Sequence, residues 1–411
     1  MNYSKDPQLY LTDSGIRLVH LRQPAAGVGI FGIAVRAGSA DEDADKMGLA
    51  HLVEHTIFKG TARRSSWHII NRMESVGGEL NAYTTKEETV IYSIFPTGNA
   101  ARAVELIADL ASASRFPENQ IEREREVVID EIMSYYDTPS EAVFDDFEDH
   151  IFKGCPLGHN ILGYPETVAK LTSEDCRNFL RRFYTKDNIV AFYTGNLSAF
   201  SVEKLLNRYL SSLPEESIRA NRAPNTATPF AKIEKKHIHQ AHVVHGIATE
   251  GLYSSSRYAI GLLANLTGGP GMNSLLNVEL RERRGLVYSV ETSTTLFSDS
   301  GLMTVYFGCD PGDVALCSEL CNKTFSSIAA GELSQRRIEQ AKKQYIGQLA
   351  IAAENRENAI MAAARATLFR GHPTPMADTV SAISDVTAHQ LAQIAALATT
   401  PSSLVFTSDA E

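Results

Sequence analysis

The sequence predicts an α+β protein made of two homologous halves, each a mainly antiparallel sheet rolled up with its helices. Three observations carry that expectation. Hairpin-linked strand pairs occur in both halves. Helical segments gather apart from the strands instead of alternating with them. The same order of elements also runs on both sides of a polar, proline-containing stretch without periodicity at 211–232. The expected division is a domain at 1–215, a linker at 211–232 and a second domain at 233–411.

In the first half, "GIRLVHLR" and "VGIFGIAVRAG" read as strands, followed by a helix over "HLVEH". A second helix, "SSWHIINRMESV", leads into the strand pair "GELNAYTTKEETVIYSIF". Helices are expected over 99–115, 117–136, 140–152 and 172–184, then a strand, "NIVAFYTGN", and a last helix. The second half opens with the strand "HIHQAHVVHGIAT", then helices around 253–266 and 272–283. A strand pair over "LVYSVETSTTLFSDSGLMTVYFG" follows, with helices from 313 onward. The half closes with the helix "TAHQLAQIAALA" and the strand "SSLVFTS". The repeated order implies an ancient duplication.

The chain has 411 residues, enough for two domains and a sizeable core. Lys and Arg number 39 against 49 Asp and Glu, so the formal charge is 39 − 49 = −10. That balance argues against nucleic acid as the main partner and is compatible with attraction of basic peptides. No stretch approaches a membrane span, and the first residues show no basic segment followed by an apolar run. Five scattered cysteines, Cys155, Cys176, Cys309, Cys317 and Cys321, form no CxxC pair. The expectation is a reduced, cytoplasmic protein without disulfides and without a membrane partner.

The chemistry concentrates in "GLAHLVEHTIFKGT". His51, Glu54 and His55 stand at i, i+3 and i+4, so one helix face carries all three. Two imidazoles one turn apart can chelate Zn²⁺, with the acid beside the open coordination position as a base for water. The alternative is a partly buried helix whose histidines are hydrogen-bonded core residues, and the stretch alone does not decide. Catalytic zinc needs a third protein ligand. The helix "PENQIEREREVVIDEIMSYY" offers Glu124 and Glu131, two turns apart on the side of Ile121, Val128 and Ile132. A carboxylate held there against apolar neighbours needs a cation or hydrogen-bond donors. Glu122 and Glu126, interleaved with Arg123 and Arg125, read as a solvated face.

The duplication supplies a control. Aligning Ile121 with Ile338 sets Glu124 on Ala341 and Glu131 on Gln348. The counterpart of the HLVEH helix, "SSRYAIGLLANL", has neither histidine nor acid. Groups that merely supported the fold would be shared by both halves, so the asymmetry favours chemistry confined to the first.

Taken together, these segments resemble the insulinase/pitrilysin family of zinc peptidases, most closely its short branch of mitochondrial processing peptidases and bacterial relatives. The resemblance rests on "GLAHLVEHTIFKGT" with Gly38 and Gly48, and on Glu131 at 131 − 55 = 76 positions beyond His55. It also rests on "GGELNAYTT" and on "GGPGMNSLLNVELRERRGLVYSV" with Arg281 and Tyr288. It implies that His51, His55 and Glu131 bind one Zn²⁺ per chain and that Glu54 is the general base. Glu124 would orient a ligand imidazole from outside the coordination shell. Arg281 and Tyr288 would position substrate and stabilise the oxyanion, both being hydrogen-bond donors. Asn81 and Ala82 would lie nearest the scissile bond, on a strand where a peptide docks by strand addition.

The implied activity is endopeptidase cleavage of unfolded peptides in a chamber formed by a homodimer; the alternative is a non-catalytic subunit of the same family. The Gly268–Gly271 loop gives no phosphate-binding signal. His68, His159, His237, His239 and His242 read as structural or surface histidines.

Overall fold

Apolar runs long enough to be buried on both faces set the middle of each sheet. In the first sheet these are Val28–Val35 and Ile189–Gly195, the second of which is buried along its whole length. The structure, a computed structural model, describes residues 6–218 and 223–408; residues 219–222 of the expected linker lie outside the described residues. The fold is α+β.

The strands before the linker are β1 (Gln8–Leu11), β2 (Arg17–Arg22), β3 (Val28–Val35), β4 (Glu79–Thr84), β5 (Thr89–Pro96) and β6 (Ile189–Gly195). They form one sheet in the order β1-β2-β6-β3-β5-β4, antiparallel except for the β2–β6 pair. The strands after it are β7 (Ala231–Lys235), β8 (Ala241–Thr249), β9 (Val287–Leu296), β10 (Gly301–Cys309) and β11 (Ser402–Thr407), in the order β7-β11-β8-β10-β9. Dropping β1 makes the two orders identical, and the one parallel pair, β7 with β11, recurs at the matching place. The duplication read from the sequence is therefore a duplication of sheet topology.

The helices are α1 (Leu49–Ile57), α2 (Ser66–Glu74), α3 (Ala100–Ala113), α4 (Glu118–Tyr136), α5 (Pro139–Ile151), α6 (Pro165–Val168), α7 (Ser173–Phe183) and α8 (Ala199–Tyr209). After the linker come α9 (Arg257–Gly268), α10 (Val314–Ala329), α11 (Gln335–Ala353), α12 (Arg356–Arg370), α13 (Met376–Ser384) and α14 (Ala388–Leu397). Among the described residues no helix is long and apolar enough to cross a membrane. The repeat is in register across helices as well: α4 and α11 start 335 − 118 = 217 residues apart, and α5 and α12 start 356 − 139 = 217 apart.

Three features differ from the sequence reading. β1 is a short, exposed edge strand with no apolar alternation to reveal it. β7 begins in the last two residues of the expected linker; its exposed, lysine-rich sequence hides the partner of β11. Within the helix expected at 272–283, residues Asn277–Glu282 form a π-helical turn, closed by a bond from the Arg283 N–H to the Val278 carbonyl at 3.0 Å.

The compact units also do not follow the chain from end to end. One unit comprises Met1–Met133, His159–Arg222 and Ile351–Met376; the other comprises Ser134–Gly158, Ala223–Ala350 and Ala377–Glu411. The counterparts α5 and α12 are thus exchanged. α12 packs on β2, β3 and β6 of the first unit, where Arg365 Nη1 donates to Glu88 Oε1 at 2.7 Å. α5 packs on β8 and β11 of the second, where a side chain on Gly246 would meet the Phe147 ring at 2.6 Å.

Candidate metal centre

α1 is a buried helix before it is anything else. Leu49, Ala50, Leu52, Val53, Thr56 and Ile57 are buried with His51, leaving Glu54 and His55 half-buried. On α4, Ile121, Val128 and Ile132 are buried, and this stripe carries Glu124 and Glu131 inward beside it. The structure brings together His51, His55 and Glu131, whose ligand atoms all lie within 4.8 Å of one another. Glu131 Oε2 is 3.3 Å from His55 Nε2 and 3.8 Å from His51 Nε2. A tetrahedral zinc site with bonds of about 2.0–2.2 Å separates its donor atoms by about 3.3 Å. Two imidazoles and a carboxylate at these separations fit that ion.

Each ring is held differently. His55 Nδ1 lies 3.5 Å from Glu124 Oε2, and the other oxygen of Glu124 takes Lys59 Nζ at 2.7 Å. A carboxylate so placed favours the tautomer with its proton on Nδ1 and leaves Nε2 free to ligate. His51 Nδ1 is buried and has no hydrogen-bond partner among the described residues. Burial, then the neighbouring His55, push its pKa down to about 3. His51 is therefore a neutral imidazole whose orientation comes from its backbone and packing.

Glu54 sits between the histidines in sequence and faces β4. Burial raises its pKa, while Thr84 and His55 favour the ionised form and Glu131 opposes it. Among the described residues β4 is the edge of its sheet and pairs with β5 alone, with Asn81 opposite Tyr92 and Ala82 opposite Ile91. Among the described residues its other edge pairs with no strand, and α1, which carries Glu54, packs next to it.

In the second unit, the Arg281 guanidinium stands 5.9 Å from the ring centre of Tyr288, and that ring is 82% exposed. Arg281 lies in the π-helical turn and Tyr288 at the start of β9, an edge strand. Gly268 is explained by packing: a side chain there would meet the β9 backbone at Thr292 N, 2.5 Å away.

The second half also shows what stands where the ligands would be. α9 and α11 are the counterparts of α1 and α4, and Asn265 Nδ2 donates to Gln348 Oε1 at 2.7 Å. A neutral amide pair thus joins the two helices where the first half joins them by imidazole and carboxylate. Sequence reasoning missed three groups around the ligands: Lys59, Thr84 and Glu42, the last described below. Lys59 lies within the quoted motif, but nothing in its spacing announces a carboxylate partner.

Two family models match parts of the chain. The family model described as Insulinase (Peptidase family M16) matches residues 18–164, and that described as Peptidase M16 inactive domain matches residues 170–345. An uncharacterized zinc protease of Mycobacterium leprae is 31% identical over 93% of this chain and 86% of its own length. One from Mycobacterium tuberculosis is 32% identical over 95% and 90%. A Helicobacter pylori protease of known structure superposes with a TM-score of 0.89 at 19% identity, covering 98% of this chain and all of the other. A peptidase M16 inactive domain structure from Pseudomonas fluorescens gives 0.87 at 18%, covering 99% and 98%.

Proposed function

This chain belongs to the insulinase family, peptidase family M16, and from that premise we propose that it is a zinc-dependent endopeptidase cleaving internal bonds of unfolded peptides. The observation that carries the reading is the His51, His55 and Glu131 donor group with Glu54 between the histidines and the open edge of β4 alongside. A zinc ion there supplies Lewis acidity toward a carbonyl and makes water a better nucleophile.

The chain's own residues do the rest. Asn81 and Ala82 on β4 hold the substrate backbone as an added strand, so backbone bonds give affinity across varied sequences. Glu54 takes the proton from the attacking water and returns it to the leaving amine nitrogen. Glu124, whose other oxygen pairs with Lys59, orients His55. Arg281 and Tyr288 donate to the developing oxyanion, delivered in a homodimer by the partner chain. The free thiols fit action in a reducing, cytoplasmic compartment.

The test is incubation of the zinc-loaded protein with a mixture of unfolded peptides, with every cut mapped by mass spectrometry. Glu54→Gln is expected to retain zinc and lose about 10²–10⁴-fold in turnover. Cuts that persist in that variant would remove Glu54 from the mechanism. Light scattering of the same sample reads the mass, and a monomer that cleaves would remove the dimer. Zinc bound with no cuts would promote the second reading, a non-catalytic family subunit, which the inactive-domain match over 170–345 favours.

A further inference from the structure

Helix α1 has no cap of its own. Its N-cap position is Gly48, at φ 94°, and offers no side chain to the first-turn N–H groups. Nor is there room for one: a Cβ at Gly48 would lie 2.6 Å from the Leu162 carbonyl oxygen and 3.1 Å from Gly163 Cα. The start of α1 is pressed directly against that turn, which Thr167 Oγ1 also ties to the Met47 carbonyl at 2.8 Å.

The missing acceptor comes from six residues upstream. Glu42 Oε2 accepts the Gly48 N–H at 2.8 Å and Oε1 accepts the Ala50 N–H at 2.6 Å. Its carboxylate has no exposed surface, and His159 Nε2 stands 3.1 Å from Oε2. The carbonyl of His159 is in turn held by Lys86 Nζ. A buried charge at a helix N-terminus is favourable only when held in this way, by donors at both oxygens and by the helix dipole. The residue next to Ala50 is His51, whose ring has no bond of its own through Nδ1. Its direction depends on where the first turn of α1 is fixed.

We propose that Glu42 is a positioning residue of the metal centre, clamping the first turn of α1 so that His51 and His55 face Glu131 at ligating distance. This rests on the reading of that group as a zinc site. His159, braced by Lys86, holds the clamp from behind. A merely structural Glu42 would matter for melting and leave zinc affinity alone.

The experiment uses the full chain and zinc alone, with affinity measured by competition against a chromophoric chelator and melting followed by circular dichroism. Glu42→Gln keeps the volume but turns one acceptor oxygen into a donor facing an N–H group. It is expected to lose about 10–100-fold in zinc affinity, as outer partners of metal ligands do. Leu206→Ala, a cavity in α8 of the same unit, is the control: it lowers the melting temperature and is expected to keep zinc affinity within about two-fold.

A folded Glu42→Gln that binds zinc like the wild type, or loses no more than Leu206→Ala, overturns the proposal. Should Glu42→Gln not fold, Glu42→Asp, which withdraws the carboxylate by one methylene, is held to the same criterion. A wild-type chain that takes no zinc overturns the metal reading itself and this inference with it. That outcome is distinct from a wild type that binds zinc beside an unaffected variant.

Discussion

At the scale of single residues, the centre depends on Glu131 more than its ordinary appearance in an acidic helix suggests. It is the candidate donor on α4 whose Oε2 faces both imidazoles. Glu131→Gln is therefore expected to weaken zinc binding by more than the about 10–100-fold typical of outer partners. Zinc content after dialysis against a mild chelator reads this directly, and normal content would mean that another group is the third ligand. His51, Glu54 and His55 were legible because five consecutive positions specify a helix face. Glu124 and Glu131 were both legible as candidates on one side of α4, marked by Ile121, Val128 and Ile132, and only the family resemblance chose between them. Glu42 was not. It lies in "DEDADK", a run whose composition reads as solvated surface, and only the tertiary approach of Gly48 to the 162–163 turn turns it inward. A side chain recruited to satisfy a distant backbone leaves no periodic trace.

At the scale of elements, sequence patterns identified helices and strands but not which sheet each helix covers. α5 illustrates both the limit and its energetic consequence. It carries Asp146 against β7, where burial above all, then Glu234 and Asp149, push the pKa up to about 6 against the pull of Lys236 and His150. The raised value means that the fold prefers the neutral acid. The penalty for ionisation is absent below the ordinary carboxylate value of 3.8, grows between there and about 6, and is complete above it. Asp146→Asn is accordingly expected to stabilise the protein at pH 8 by about 1 kcal/mol, allowing for solvent screening of a half-buried group. The gain should vanish by pH 4. Thermal melts of both proteins across that range check the slope; a gain that is constant with pH would locate the effect in packing rather than charge.

At the scale of the whole molecule, the repeat of 217 residues makes α5 and α12 equivalents, and the fold assigns each to the unit built mainly from the other half. α12 has little amphipathic pattern and is buried on most sides along 366–369; its sequence cannot say that the strands beneath, β2, β3 and β6, lie more than 150 residues earlier in the chain. That assignment has a direct consequence for cutting the chain at the linker. A fragment of residues 1–218 holds the whole first sheet and every proposed zinc ligand, yet lacks the helix that covers three of its strands. α12 buries Ile360, Leu368 and Phe369 with several alanines. At about 1.5–3 kcal/mol for each large apolar side chain, its loss is comparable to the about 5–15 kcal/mol that holds a domain folded. The ion pair of Arg365 with Glu88, a residue only 3% exposed in the full chain, goes as well. The fragment is expected to show no cooperative melt and to lose the zinc affinity of the full chain. Residues 351–376 fused to it through a flexible linker should restore both. A cooperative melt of 1–218 alone near the full-length temperature would mean that the first sheet is stable without α12, and that the exchange of helices is not what holds this unit together.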